Sequence, residues 1–207
     1  MNTKSFLLLA AVLMLIAPAG CIFSPDEPGP GDQPGPGGGS ELPFPDSETQ
    51  LMENFREVYE NMDFDGYEAM LHRDFITLLQ TGTQEEFPNV GPTLDREEEI
   101  DIAQKMFSGN AITNSQGELV PGISSINFEL FEQRGAWATS PASDVIPNAR
   151  FAQFEVRFLF DRGSESTLRV DGLIKFYVVS RDSTSGGVTR PYFQMIGQQD
   201  QTNGPTP

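Results

Sequence analysis

The chain has 207 residues, of which 30 are acidic, 13 are basic and one is a histidine, so its formal net charge is −17. This acidity argues against nucleic-acid binding, because phosphate recognition needs clustered Lys and Arg side chains. The single cysteine excludes a disulfide framework and a cysteine-ligated zinc site.

The N-terminus predicts export. Lys4 supplies a positive charge ahead of an apolar run from Phe6 to Ala17, which is shorter than the about 20 residues that span a bilayer. Such a run is typical of a secretory signal peptide. Small residues then precede Cys21, and here the chain resembles a bacterial lipoprotein precursor. An ordinary signal peptide cut near Ala19 is the alternative.

The resemblance to lipoproteins implies where the mature protein resides. In that family the signal peptide, here residues 1–20, is removed, and the cysteine, here Cys21, is acylated and becomes the new N-terminus. Ile22 follows it in place of the Asp that retains many lipoproteins in the inner membrane. We therefore expect a lipid anchor in the cell envelope, on the outer membrane and facing the periplasm if the organism has two membranes.

A tether is predicted after the anchor, so that the two together occupy residues 21–45. Residues 22–45 contain seven prolines and six glycines. This segment shows no hydrophobic periodicity, so we expect it to bury too little apolar surface to offset the conformational entropy that is lost on ordering. Proline keeps such a chain extended and glycine lets it bend. We interpret it as a spacer that holds a domain away from the membrane.

One folded domain is expected over residues 46–201, followed by a disordered tail at residues 202–207. In its first half, apolar residues recur with the spacing of an α-helix. Ser47 and Gln50 fit a capping box at the start of the first helix. The apolar residues that follow at helical spacing are Leu51, Phe55, Val58 and Met62. Asp65 is the expected N-cap of a short second helix.

A third helix is predicted after a short apolar stretch at residues 75–79. Asp95 and Glu98 fit a capping box at its start, and Gly109 suits its end. The stripe expected to be buried consists of Ile100, Ala103, Met106 and Phe107.

The acidic residues of this region are interpreted as surface. Glu97 and Glu99 lie near the helix N-terminus, where negative charge is favourable. The run from Glu97 to Glu99, like the pair Glu85-Glu86, is most simply a solvated face.

The second half alternates apolar and polar residues, which is typical of half-buried strands. Strands are expected at residues 126–130 and through Trp137, and a last one runs from Pro191 to Gln199. Two longer strands lie between them, each with one apolar face. Those faces consist of Ala152, Phe154, Val156, Phe158 and Phe160, and of Leu168, Val170, Gly172, Ile174, Phe176 and Val178. The result is an α+β fold with three helices packed on a four-to-five-stranded antiparallel sheet.

The two longer strands are expected to pair as a hairpin in the register that places Arg157 opposite Asp171, because opposite charges then face each other. A shift of two residues would place Arg157 opposite Arg169. The shift in the other direction pairs Glu155 with Lys175 and remains an alternative.

Four segments of the domain resemble the nuclear transport factor 2-like superfamily, which includes the SnoaL-like proteins. They are Phe55-Arg56-Glu57-Val58-Tyr59, Asp63-Phe64-Asp65-Gly66-Tyr67, Leu71-His72-Arg73-Asp74-Phe75 and the closing strand from Tyr192 to Asp200. The resemblance implies a long first helix, a short second helix and a curved sheet that enclose a conical pocket. Members include ketosteroid isomerases, polyketide cyclases, epoxide hydrolases, dehydratases and non-enzymatic binding domains, so the fold does not determine the function.

No catalytic residue is predicted. An approximate alignment on Gly66 places the oxyanion tyrosine of the isomerases at Phe55 and their general-base aspartate at Leu79, and both positions are apolar here. No metal site or cofactor is expected. The residues expected to line the cone are Phe55, Tyr59, His72, Trp137, Phe154, Phe158, Ile174 and Phe176.

Three polar features are candidates for parts of an active site. The hydroxyl of Tyr59 is expected to bond to the backbone. His72 is expected at the surface or rim, in the turn after the second helix, although it is a natural acid or base. Arg157 and Asp171 are expected to form a cross-strand structural pair in preference to a pocket pair.

These observations favour a membrane-anchored envelope lipoprotein whose domain binds and does not catalyse. The expected partners are the membrane, through the lipid, and a small apolar molecule or an envelope protein. The resemblance also implies that two copies pair through the sheet. The alternative is a SnoaL-like pocket enzyme (an isomerase, cyclase or hydrolase) acting on a small apolar molecule, with His72, Tyr59 or Asp171 as its polar groups.

Overall fold

The computed structural model describes residues 42–80, 91–113, 117, 119–163, 167–185 and 187–201. Cys21, the predicted signal peptide and the pair Glu85-Glu86 lie outside these residues. The helices are α1 (Glu48–Glu60), α2 (Phe64–Met70) and α3 (Arg96–Phe107). The strands are β1 (Leu71–Leu78), β2 (Thr93–Asp95), β3 (Ile112–Thr113), β4 (Leu119–Val120), β5 (Ser125–Thr139), β6 (Arg150–Asp161), β7 (Thr167–Ser185) and β8 (Val188–Asp200).

The third helix begins as predicted. The side chain of Asp95 accepts a hydrogen bond from the backbone of Glu98, and the Glu98 side chain accepts one from the backbone of Asp95, which confirms the capping box. Gly109 follows the helix with a φ of 67°, a conformation that glycine adopts without strain.

The caps of the first two helices differ from the prediction. Ser47 caps α1 by accepting from the Gln50 N–H, but the Gln50 side chain donates to Asn54, so the predicted box is only half formed. Asp63, and not Asp65, is the N-cap of α2, because its carboxylate accepts from the N–H of Gly66, three residues on.

Six strands form one sheet in the order β2-β1-β8-β7-β6-β5, while β3 and β4 form a separate pair. The α+β class is confirmed, and a long first helix, a short second helix and a sheet that is not closed match what the family resemblance implies. The expectation of a purely antiparallel sheet of four to five strands is wrong, because β1 pairs with β8 in parallel. A parallel pair needs a long connection, and no local pattern reveals it.

The predicted register of the central hairpin is confirmed. Arg157 lies opposite Asp171, and its Nε donates to the aspartate Oδ1 at 2.5 Å. On the other face, Phe154 lies opposite Ile174. Both faces of the hairpin therefore make favourable cross-strand pairs. The separate strands predicted at residues 126–130 and through Trp137 are one strand, β5, interrupted by two irregularities.

The main core lies between the helices and the inner face of the sheet. It is dominated by aromatic rings: Phe55 lies 5.0 Å from Phe176, which lies 5.5 Å from Phe154, measured between ring centroids. The ring of Phe131 stacks on Phe154 at 4.8 Å. Such tilted and edge-on contacts stabilise a core beyond the burial of area alone.

The outer face of the sheet is partly covered by the connection between β5 and β6, residues 140–149, which we call the strap. Ile146 and Ala149 of the strap pack with Leu78 and Tyr177 in a second, smaller core. The strap closes on itself where the Ser140 N–H donates to the Ala149 carbonyl at 2.8 Å.

Residues 42–45, the end of the predicted tether, lie against the domain. The Phe193 N–H of β8 donates to the Pro45 carbonyl at 2.8 Å, and the Asn54 side chain donates to the Pro43 carbonyl at 2.7 Å. Phe44 packs near Tyr192 of the same strand. The chain therefore enters the domain along β8 and the first helix.

Candidate functional site

The buried polar group at the centre of the domain is Glu99 of α3. Only 6% of its surface is exposed, so its predicted place on a solvated face is wrong. The residues that α3 buries are Glu99, Ile102, Ala103, Met106 and Phe107, whereas Ile100 is only half-buried. The helix is rotated relative to the predicted stripe, and this rotation turns Glu99 inward.

Three neighbouring side chains donate hydrogen bonds to the Glu99 carboxylate or to one another. The Tyr67 hydroxyl donates to Oε1 at 2.8 Å, and the Thr77 hydroxyl donates to Oε2 at 2.7 Å. The Gln198 amide lies 3.4 Å from Oε1 and 3.2 Å from the Thr77 hydroxyl oxygen. Both carboxylate oxygens therefore have partners from within the protein.

Tyr59 of α1 lies against this group, since its ring meets that of Tyr67 edge to face at 5.3 Å between centroids. The expectation that its hydroxyl bonds to the backbone stays a prediction. We call Tyr59, Tyr67, Thr77, Glu99 and Gln198 the Glu99 cluster. It joins α1, α2, α3, β1 and β8.

Burial determines the protonation of the Glu99 cluster. It raises the pKa of Glu99 above its ordinary value, and the hydrogen bonds from Thr77 and Tyr67 offset only part of that shift. Burial, together with the charge of Glu99, also raises the pKa values of Tyr59 and Tyr67. Both phenols consequently stay protonated, and Tyr67 donates its proton to the hydrogen bond with Glu99.

The apolar residues that were predicted to line a cone belong to the main core. Phe55, Phe154, Phe158 and Phe176 are buried, and Ile174 and Trp137 are partly exposed and pack against the same core. The Trp137 indole N–H is buried and donates to no acceptor among the described residues.

His72 is separate from the Glu99 cluster. It lies in β1 and not in a turn, with 9% of its surface exposed. Its Nδ1 accepts from the Asp74 N–H at 3.1 Å, and its Nε2 lies 3.5 Å from Arg181. Burial lowers the pKa of His72, although the charge of Asp74 opposes the shift. Its polar contacts are therefore with Asp74 of β1 and Arg181 of β7, which are charged residues outside the Glu99 cluster.

The Arg157–Asp171 pair is part of a surface ion-pair network. Asp171 also accepts from Arg169 at 2.7 Å, and its side chain is 41% exposed. Hydrogen bonds from the two arginines lower the pKa of Asp171. These contacts are those of a structural cross-strand pair.

A second polar group, under the strap, was not predicted. Asp144 accepts from Lys175 at 2.7 Å and from the Tyr177 hydroxyl at 2.8 Å. The Lys175 ammonium also lies 4.1 Å from the centre of the Phe151 ring. Burial opposes ionisation of Asp144, but the bonds from Lys175 and Tyr177 lower its pKa on balance. This group fastens the strap to the outer face of the sheet.

The described ranges contain neither a metal-binding group nor a membrane-spanning helix. No group of three His, Cys, Asp or Glu side chains there is arranged to hold a metal ion. No helix there is both long enough and apolar enough to cross a bilayer.

No protein-family model matches the sequence, and no curated protein matches it. Among solved structures, the chain is similar to an NTF2-like protein of unknown function in nutrient uptake from Rhodospirillum rubrum. The identity is 11%, the match covers 76% of this chain and 99% of that one, and the TM-score is 0.42.

Two other solved structures are similar to the chain. One is ActVI-ORFA from Streptomyces coelicolor, with 10% identity over 75% of this chain and 93% of that one and a TM-score of 0.44. The other is the beta subunit of benzoate 1,2-dioxygenase from Burkholderia mallei, with 10% identity, 73% and 85% coverage and a TM-score of 0.44. At such identities the activity of a neighbour does not carry over, because function resides in particular side chains.

The raised pKa of Glu99 makes stability depend on pH in a defined direction. The folded state holds the Glu99 proton more tightly than the unfolded state, so protonation of Glu99 adds to the free energy of unfolding. This addition is complete below the ordinary glutamate pKa and is lost as pH rises through the pKa that Glu99 has in the folded state. We therefore expect the free energy of unfolding of the wild type, minus that of Glu99→Gln, to fall as pH rises across that window. Urea titrations at a series of pH values measure it.

The matched control is Glu97→Gln, which removes an exposed carboxylate from the same helical turn. Surface changes of this kind usually alter stability by less than about 0.5 kcal/mol. A wild-type advantage over Glu99→Gln that grows with pH would contradict the assignment of Glu99 as a buried acid.

Proposed function

We propose that this protein is a cell-envelope lipoprotein, anchored through Cys21, whose NTF2-like domain is a binding module and not an enzyme. The observation that carries the proposal is that side chains of the protein itself occupy both carboxylate oxygens of the buried Glu99. Each carboxylate oxygen of Glu99 accepts from a hydroxyl at 2.7 to 2.8 Å. The neighbouring inner surface is built of phenylalanine rings.

A proton-transfer enzyme needs a base or acid that a substrate can reach within hydrogen-bond distance. To reach Glu99, a substrate would have to displace Tyr67 or Thr77, which would leave a buried hydroxyl without its partner. That loss costs about 1–3 kcal/mol for each group. The cluster is therefore better suited to joining helices to strands than to exchanging protons with a ligand.

A lipid anchor at Cys21 is consistent with the Pro/Gly-rich spacer and the acidic domain that follow it in the sequence. Twenty residues, 22–41, lie in the sequence between Cys21 and the segment that contacts the domain. The net charge of −17 disfavours contact with the anionic surface of a membrane. A lipid at the N-terminus and an acidic domain on a spacer together favour a module that faces the aqueous phase.

The second candidate function is the pocket enzyme, and a specific observation favours it. Glu99 has a raised pKa and lies beside two protonated phenols. Titratable groups with shifted pKa values cluster at active sites. In this alternative, Glu99 takes the place of His72 or Asp171 as the acid or base, and opening of the cluster admits the substrate.

The anchor is tested by Cys21→Ser in a bacterium with two membranes. We expect the wild type to enter the detergent phase in a phase-partition assay, because lipidation at the cysteine adds acyl chains that bind membranes. We expect the variant to remain unprocessed or to enter the aqueous phase. Equal membrane retention of a processed Cys21→Ser protein would exclude Cys21 as the anchor.

The choice between module and enzyme is tested by Tyr59→Phe in the chromosomal gene. The substitution removes only the hydroxyl of Tyr59 and keeps its buried ring, so the protein should fold with a loss of at most about 1.5 kcal/mol. We expect the variant to retain whatever envelope phenotype the gene supports, at wild-type protein levels, whereas Cys21→Ser abolishes it. A folded, abundant Tyr59→Phe protein without the phenotype would favour the enzyme.

A further inference from the structure

Residues 42–45 at the end of the predicted tether, which we call the latch, are tied to the domain. Pro45 is buried, and its carbonyl accepts from the Phe193 N–H at 2.8 Å. The carbonyl of Pro43 accepts from the Asn54 side-chain amide at 2.7 Å. Only 2% of Asn54 is exposed, and a buried amide that loses its partner destabilises the fold. The latch is therefore part of the folded domain.

The strand that receives the latch belongs to a two-stranded arm. β6 begins at Arg150, opposite Val178 of β7, and Met195 is the first residue of β8 that pairs with β1. Residues 180–185 of β7 and 188–192 of β8 consequently pair only with each other among the described strands, and we call them the arm. Because a two-stranded hairpin is only marginally stable in water by itself, the arm needs support from outside.

The latch supplies support at the base of the arm. The guanidinium carbon of Arg190 lies 3.5 Å from the centre of the Phe44 ring, in a cation–π contact. The ring of Tyr192, which is only 8% exposed, lies 6.2 Å from that of Phe44. Next along β8, the bond from Phe193 to Pro45 occupies an N–H at the free edge of the strand. Three contacts therefore join the arm to the latch.

The latch also lies between the proposed anchor and the rest of the domain. The chain runs from Cys21 through residues 22–41 to Leu42, so a pull on the tether reaches the latch before it reaches α1. Leu42 packs at the margin of the main core. A peripheral segment of four residues opens at a lower free energy than strands with partners on both sides, such as β6 and β7. The latch is thus the first part of the domain to yield to a load.

We propose that the latch couples the membrane anchor to the arm, so that the docked latch holds the arm and a pull on the tether undocks the latch and loosens the arm. Undocking uncovers Tyr192 and frees the Phe193 N–H and the Asn54 amide. The edge of β8 is then open only when the tether is under load between the membrane and whatever the module holds. This inference rests on the proposed anchor at Cys21 and specifies how the anchor regulates the module.

Amide hydrogen exchange on the full chain tests the link between latch and arm, and it needs no lipid. We expect the Phe193 amide to be less protected than that of Phe158 in the central hairpin, because it opens locally. Phe44→Ala should speed exchange at Phe193 and in the arm by about two- to fivefold, the effect of one cation–π contact. Asp46→Asn, an exposed change beside the latch, should leave these rates unchanged. Equal protection of Phe193 and Phe158, or unchanged arm rates in folded Phe44→Ala, would overturn the coupling.

Single-molecule pulling tests the release by load. Cys21 is the one cysteine of the chain, so its thiol takes one handle in the unprocessed protein, and Thr139→Cys at an exposed position of β5 takes the other. We expect a reversible opening at a lower force than unfolding, and a still lower opening force in Phe44→Ala. Unfolding in a single event with no earlier opening would overturn the proposal. Because the thiol handle replaces the lipid, this result is independent of the membrane assay on Cys21→Ser.

Discussion

The buried carboxylate of Glu99 is the constraint on which the arrangement of helices and sheet depends. A carboxylate with its raised pKa is tolerated in the core only because hydroxyls from α2 and β1 and an amide from β8 converge on it. These partners lie 22 to 99 residues away along the chain. If α3 turned or slid, Glu99 would lose its donors, so the cluster determines both the rotation of α3 and its depth on the sheet.

Sequence patterns correctly predicted those features of the fold that depend on residues close together in one helix or one hairpin. The Asp95–Glu98 capping box and the pairing of Arg157 with Asp171 each involve neighbouring groups, and both were found. The predicted buried stripe of α3 is confirmed at Ala103, Met106 and Phe107. It is wrong at its N-terminal end, because a hydrophobicity pattern prefers Ile100 to Glu99 as a buried residue. Glu99 lies four residues before Ala103 and seven before Met106, a spacing that places all three on one helix face. The sequence alone did not show that Glu99 could be buried there, because its hydrogen-bond partners come from distant parts of the chain.

The parallel pairing of β1 with β8 had no signal of its own, since the alternation of a strand does not reveal the direction of its neighbour. The strap could not be predicted for the same reason. Asp144 and Lys175 are 31 residues apart in the chain, and no local pattern indicates that they form an ion pair. Trp137 was predicted among the cone residues from its aromatic character. The irregularity of β5 between Arg134 and Ala138, and the contact of Trp137 with Phe154, required coordinates.

The two faces of the sheet offer different opportunities for binding. The outer face carries ion pairs around Arg157 and is covered in part by the strap, so pairing of two copies through this face stays a prediction. The inner face carries the aromatic core, against which the partly exposed Trp137 packs.

The central claim is that the Glu99 cluster is closed to solvent. Proton exchange of the Tyr67 and Thr77 hydroxyls, measured by NMR on the full chain with the exposed Thr139 as reference, tests it most directly. A closed cluster exchanges only through opening of the fold, so both hydroxyl protons should be protected far beyond that of Thr139. Exchange of Tyr67 and Thr77 as fast as that of Thr139 would contradict the account and indicate an open, reactive carboxylate.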